Sequence, residues 1–85
     1  MADQQKIFDD IKEERKYQDS KWGKEFDLKN SANDWASYIN TYLGNGVTMP
    51  TGSAEYRKMM IKVAALTVAA LEMHDDGLIP KRHYE

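Results

Sequence analysis

The densest group of side chains with metal-binding chemistry is a carboxylate cluster in the last quarter of the sequence. It consists of Glu72, Asp75 and Asp76, and Glu72 and Asp75 share one face of a helix because they are three residues apart. Carboxylate oxygens and water are the ligands that Mg²⁺ takes in proteins. Two interpretations stay open: a metal pair of Glu72 and Asp75, or, as the favoured reading, a solvated helix end near Lys81 and Arg82.

Other catalytic and metal-binding patterns are missing. The chain has no cysteine and only two histidines, His74 and His83, which excludes thiolate sites and argues against a zinc site. The segment Gly44-Asn45-Gly46 lacks the Lys-Ser/Thr pair that completes a phosphate-binding loop. No metal and no other cofactor is predicted.

The composition favours a small cytoplasmic protein. Its 12 basic and 14 acidic residues give a formal net charge of −2, so no strong field attracts long nucleic acid. The most apolar run, residues 59–73, is interrupted by Lys62, Thr67 and Glu72, and a bilayer span needs about 20 apolar residues. No secretory leader pattern opens the chain. We therefore expect neither membrane insertion nor binding to long nucleic acid.

The first of three predicted helices spans about residues 3–22. Asp3 is a suitable N-cap, and apolar side chains recur at helical spacing behind it. Gly23 is expected to end the helix. Residues 23–30 show no clear period and are predicted to form a connecting loop.

The other two helices are predicted at about residues 31–44 and 53–76. Ser31 and Asp34 form a capping-box pattern at the start of one, and Ser53 is a suitable cap for the other. Glycines follow both segments. The sequence thus predicts an all-α fold, a three-helix chain without a sheet that forms an oligomeric helical bundle.

The third helix suggests the oligomer because it is apolar nearly all round. Between residues 63 and 71 the only polar side chain is Thr67, and a helix of this kind must be buried. Two other helices of this length cover about half of such a helix, so a second copy of the chain is the simplest cover for the rest. The predicted subunit interface consists of Ala65, Leu66 and Ala69.

The chain is predicted to be one domain, residues 1–85. Its tail, residues 77–85, carries the polar and aromatic side chains of Lys81, Arg82, His83 and Tyr84. The tail is either a flexible end or a strap across a neighbouring subunit.

Five segments of the chain together resemble small phage-encoded proteins related to the MazG-like all-α NTP pyrophosphohydrolases. They are IKEERKYQDSKWG (11–23), NDW (33–35), YR (56–57), KVAALTVAALE (62–72) and PKRHY (80–84). The order and spacing of these segments carry the resemblance over most of the chain. It implies an all-α fold and, for a phage protein, the host cell cytoplasm.

The resemblance does not extend to the metal site of that family. MazG-like enzymes hold Mg²⁺ with carboxylates in an EExxE pattern on one helix and an ExxD pattern on the next. Laying the chain on those patterns puts no carboxylate at any of the five positions, which are Thr41, Tyr42, Asn45, Met59 and Lys62. Because the metal neutralises the phosphates and orients water, the resemblance implies the fold and argues against the activity.

Three hypotheses of function remain. The first is a non-catalytic protein that binds a nucleotide or a cyclic oligonucleotide and sequesters a host defence signal. Its predicted ligand residues supply cations for phosphate and rings for the base: Arg15, Lys21, Trp22, Tyr42, Arg57 and Lys62. The second is a protein-interaction module that inhibits a host factor. The third is a residual Mg²⁺-dependent NTP pyrophosphohydrolase that uses the Glu72–Asp76 cluster.

Overall fold

Helix α3 is the element against which the other helices pack. The computed structural model describes all residues, 1–85, and contains no strand. Its helices are α1 (Gln4–Lys29), α2 (Ala32–Gly46) and α3 (Ala54–Asp75). Both α1 and α2 pack against α3. The predicted all-α fold of three helices is confirmed.

Each helix begins at the cap that the sequence indicates. Asp3 Oδ1 accepts a hydrogen bond from a backbone N–H in the first turn of α1 at 3.2 Å, and Ser53 Oγ does the same in α3 at 3.1 Å. Ser31 and Asp34 form a complete capping box, in which each side chain accepts from the other's backbone N–H, at 3.2 and 2.9 Å. These bonds satisfy N–H groups that have no partner inside a helix.

Residues 24–29, predicted to lie in a loop, are the last part of α1. Gly23 interrupts the helix with φ 76° and ψ 171°, a combination that is essentially restricted to glycine. A Cβ at this position would meet no atom within 4 Å, so conformation, not space, requires the glycine. Beyond the kink, Phe26 stacks on Trp22 with ring centroids 5.6 Å apart. This packing stabilises a segment too short to be helical alone, and the loop prediction is wrong there.

The core is centred on α3. Trp35 of α2 and Leu66, Ala69 and Met73 of α3 form one buried cluster, and Ala65 has no exposed surface. The predicted interface residues therefore lie in the core of the single chain, with exposed fractions of 0% for Ala65 and 3% for Leu66 and Ala69. They leave no surface for a second copy. This assignment is corrected because the chain's own helices cover that side of α3.

The other side of α3 is uncovered. Val68 is 39% exposed and Leu71 is 55% exposed, although both belong to the stretch that the sequence marks as apolar all round. A partner that covers this side remains a prediction.

The tail after α3 lies on its own chain. Gly77 has φ 69°, and the N–H of Leu78 donates to the carbonyl of Met73 at 2.9 Å, as in a Schellman motif. Ile79 then packs against the core cluster. Arg82 Nε donates to a side-chain oxygen in the first turn of α2 at 3.0 Å. The tail thereby joins the end of α3 to the start of α2.

The molecule is elongated for its size. Its radius of gyration is 14.1 Å, whereas a compact chain of this length is expected to have about 12 Å. Its accessible surface is 6302 Å², against about 5,200 Å² for a typical monomer of this mass. None of the three helices has the length and apolarity that a membrane crossing requires.

Candidate functional site

Four aromatic side chains of α1 and α2 surround a space that we call the aromatic cavity. Its volume is about 190 Å³, and it is lined by Trp22, Phe26, Tyr38, Tyr42 and, from α3, Leu66. Phe26 stands between two of the other rings, 5.6 Å from Trp22 and 5.8 Å from Tyr38 between centroids. A lining of ring faces and edges suits a planar ring system.

Two lysines lie over rings of this cavity. Lys62 Nζ is 4.8 Å from the ring centroid of Tyr42, and Lys21 Nζ is 5.4 Å from that of Trp22. Both distances fall within the range of about 6 Å for a cation–π contact. Neither ammonium group forms an ion pair with a carboxylate. Their charge is therefore available to an anion beside the cavity.

A buried glutamine holds α1 against α3 next to Lys62. Gln18 is 2% exposed, and its Nε2 donates to Glu14 Oε2 at 3.1 Å and to the backbone carbonyl of Lys62 at 3.5 Å. Its Oε1 accepts from Arg15 Nη1 at 3.4 Å. These bonds satisfy a buried amide and fix the position along α3 at which α1 packs.

Three residues that build the site are absent from the predicted set: Gln18, Phe26 and Tyr38. Phe26 follows Trp22 by four residues and Tyr38 precedes Tyr42 by four, which places each pair on one helix face. That spacing is a usable signal for the two aromatic residues. Gln18 has no comparable signal, because its main partner on α3 is a backbone carbonyl.

Arg15 lies away from the aromatic cavity. Its Nη2 is 3.0 Å from Asp19 Oδ1 and its Nε is 3.4 Å from Glu72 Oε1, and its side chain is 14% exposed. It lines a second space of about 330 Å³, the polar cavity, whose other charged residues are Asp19, Lys24, Asp27, Glu72 and Asp76. Burial raises the pKa of the Asp27 carboxyl above its ordinary value; the charge of Arg15 opposes this rise, and Asp19 and Glu72 reinforce it.

Arg57 is also held by a carboxylate. Its Nη2 is 2.7 Å from Asp10 Oδ2, which Lys6 Nζ approaches to 3.2 Å. The hydrogen bond from Arg57, followed by that from Lys6, holds the pKa of Asp10 below its ordinary value. Of the six predicted ligand residues, Trp22 and Tyr42 line the aromatic cavity, and Lys21 and Lys62 lie over their rings. The two arginines lie apart.

The two residues of the alternative metal pair have separate partners. Glu72 contacts Arg15, and Asp75 Oδ1 lies 3.0 Å from His74 Nδ1. No group of three or more His, Cys, Asp or Glu side chains is arranged to hold a metal ion. At one of the positions where MazG-like enzymes carry a carboxylate, Thr41 donates its hydroxyl to a carbonyl of its own helix at 2.9 Å.

Comparisons with known proteins identify no relative. No family model matches the chain, and neither a curated protein nor a solved structure matches it. The MazG-like resemblance therefore stays a prediction from motifs. Function has to be argued from the geometry of the site.

Proposed function

We propose that this chain binds a nucleotide or a cyclic oligonucleotide at the aromatic cavity and does not hydrolyse it. The observation that carries the proposal is the pairing of ring and cation, Trp22 with Lys21 and Tyr42 with Lys62, around one space. A base stacks on aromatic rings, and a phosphate forms charge-assisted hydrogen bonds with an ammonium group.

The size of the cavity supports a binding mode in which the base enters the cavity and the phosphate stays outside. Its volume of about 190 Å³ is below the range of roughly 300–1,000 Å³ in which small-molecule sites enclose a whole ligand. Only the planar ring enters it, and the sugar and phosphate stay outside. Lys21 and Lys62 lie on rings that border the cavity, where the phosphate emerges.

We expect binding without hydrolysis because a lysine, and not a metal-holding carboxylate, pairs with the phosphate. Lys62 is a cation at a position where the resemblance expects an aspartate, so the phosphate is paired directly and not through a carboxylate-held metal that orients water. A protein of this kind lowers the free concentration of its ligand. For a phage protein, a host defence signal is the ligand whose removal is useful, and we propose that the chain acts in the cytoplasm as a homo-oligomer.

Titration calorimetry tests the proposal directly. The ligands are the standard ribonucleotides and deoxyribonucleotides, cyclic dinucleotides and cyclic trinucleotides. For the ligand that binds, Lys62→Gln should weaken affinity by roughly ten- to a hundredfold, the value of a charge-assisted contact to phosphate. Lys58→Gln is the matched control because Lys58 lies one turn earlier on α3 and contacts no ring of the cavity.

Two results would contradict the proposal. If no ligand produces binding heat, the protein does not bind nucleotides. If the Lys62→Gln and Lys58→Gln variants lose affinity equally, Lys62 has no specific role. Release of pyrophosphate in the presence of Mg²⁺ or Mn²⁺, abolished by Glu72→Gln, would show that the protein is a catalyst.

A further inference from the structure

We propose that two copies of this chain associate through a surface built by α1 and α3, which we call the α1/α3 face. It consists of Phe8, Ile11 and Val68, which line one groove, and the exposed Leu71, three residues after Val68 on α3. This surface is distinct from the aromatic cavity, and its role does not depend on the ligand bound there.

The α1/α3 face is apolar and open to solvent. Phe8 is 53% exposed, Val68 39% and Leu71 55%. Phe8, Ile11 and Val68 line a groove of about 490 Å³, and the charged side chains of Lys12, Arg15 and Glu72 complete its lining. Large apolar side chains gathered on one surface and rimmed by polar ones mark an interaction site.

The accessible surface indicates how much of the chain a partner has to cover. The chain exposes 6302 Å², about 1,100 Å² more than a monomer of 9.8 kDa is expected to expose. A stable protein–protein interface buries about 800 Å² on each partner. One interface of ordinary size would therefore bring the chain close to the surface expected for its mass. The buried apolar core contains only five residues, so such an interface also extends a small core.

The charges at the rim favour a second copy over a different protein. Lys12 lies on the α1 side of the groove and forms no ion pair within the chain. Glu72 lies on the α3 side, and its side chain is 60% exposed. In a twofold interface each contact occurs twice with the roles exchanged. A twofold axis along the groove places Lys12 of one copy opposite Glu72 of the other, on both sides of the axis.

Sedimentation equilibrium tests this surface with two matched variants. We expect the wild type to have the mass of two chains of 9.8 kDa. Val68→Glu should raise the dimer dissociation constant by roughly thirtyfold or more, as for a central interface residue. Because Val68 is partly exposed, the single chain should keep its helical circular dichroism. Val47→Glu makes the same change at a site that is 83% exposed and outside the face, and should leave the dimer intact.

A charge exchange tests the twofold arrangement. Lys12→Glu and Glu72→Lys should each weaken the dimer, and the double variant should recover most of the loss. The contact between Glu72 and Arg15 is lost in the Glu72→Lys single variant and in the double variant alike, so it does not account for recovery of the double variant relative to Glu72→Lys. A wild type that remains monomeric at high micromolar concentration overturns the proposal and leaves the face to another protein. Equal dimer dissociation constants for the Val68→Glu and Val47→Glu variants would also overturn the proposal. The same holds if the double variant dimerises no more tightly than the single variants.

Discussion

The aromatic cavity and the polar cavity both lie beside the kink in α1, and the sequence suggests a phosphate-binding cation next to each: Arg15 in the lining of the polar cavity, and Lys21 and Lys62 over two rings of the aromatic one. In the polar cavity, Arg15 is held by Asp19 and Glu72, and carboxylates satisfy its guanidinium fork. Beside the aromatic cavity, Lys21 and Lys62 lie over ring faces and form no ion pair with a carboxylate, so their N–H groups remain free for an anion. Neighbouring groups, rather than residue type, decide which cation is available.

Among substitutions that distinguish the two cavities, Leu66→Ala is expected to have the largest effect on the free energy of unfolding. Leu66 is 3% exposed, belongs to the core cluster and lines the aromatic cavity but not the polar one. Removing a buried leucine side chain typically costs about 2–5 kcal/mol, so urea unfolding should report a loss in that range. Leu43→Ala, at a residue 43% exposed, should change stability by only about 0.5 kcal/mol. Equal losses in the two variants would place the core elsewhere.

A smaller loss of unfolding free energy is expected from Gly23→Ala, a substitution that disturbs both cavities. Trp22 and Phe26 on one side, and Lys24 and Asp27 on the other, are all positioned by this kink. An alanine with φ near 76° costs about 1–3 kcal/mol. Gly44→Ala is the control, since Gly44 lies inside α2 without a positive φ and a Cβ there meets no atom within 4 Å.

For Gly44→Ala we expect a gain of about 0.5–1 kcal/mol, because alanine is the better helix residue. Thermal unfolding followed by circular dichroism measures both variants. If both substitutions stabilise the protein, α1 is a straight helix and the shared kink does not exist.

The smallest effect is expected from Asp27→Asn in the polar cavity. The folded-state pKa of Asp27 is raised above its ordinary value of 3.8, so the folded state binds the proton more tightly than the unfolded state does. Stability from this group is therefore present below pH 3.8 and is lost as pH rises through the folded pKa. The asparagine variant should be slightly more stable at neutral pH, by less than about 1 kcal/mol.

Asp10 gives the opposite pH dependence and serves as the contrast. Its folded-state pKa is lowered, so its contribution is present above pH 3.8 and is lost as pH falls through the folded pKa. Unfolding temperatures of the two variants, measured from neutral pH downward, should differ from the wild type in opposite directions at neutral pH, higher for Asp27→Asn and lower for Asp10→Asn, and should converge on it as the carboxyls become protonated. Parallel curves would contradict both assignments.

The starts of the helices are predictable from the sequence because a cap is a local feature. Asp3, Ser31 and Ser53 each bond to an N–H three residues later, and such a pattern is readable along the chain. The helical segment after Gly23 is different, because its stability comes from the contacts of Phe26 with Trp22 and Tyr38. The six residues after Gly23 show no helical period of their own, and only the four-residue spacing of Phe26 from Trp22, across the glycine, points to one of these contacts.

The candidate site is predictable only in part, for a related reason. The sequence suggests Trp22 and Tyr42 as ligand residues, and both line one cavity, but the partners that hold the arginines lie far along the chain. Arg57 bonds to Asp10, 47 residues away, and Arg15 to Glu72, 57 residues away. Likewise, an apolar pattern all round α3 does not say which side α1 and α2 will cover. For that reason the sequence predicts Ala65 at a subunit interface, whereas the structure buries it within the single chain.

The packing of both α1 and α2 on α3 has a consequence for folding during synthesis. Helix α1 leaves the ribosome first, and α2 follows with 15 residues, close to the length at which an isolated helix is only marginally stable in water. Neither helix has its main packing surface until α3 has emerged. We therefore expect no folded intermediate in the nascent chain before that point, followed by a single cooperative transition of the kind usual for small domains.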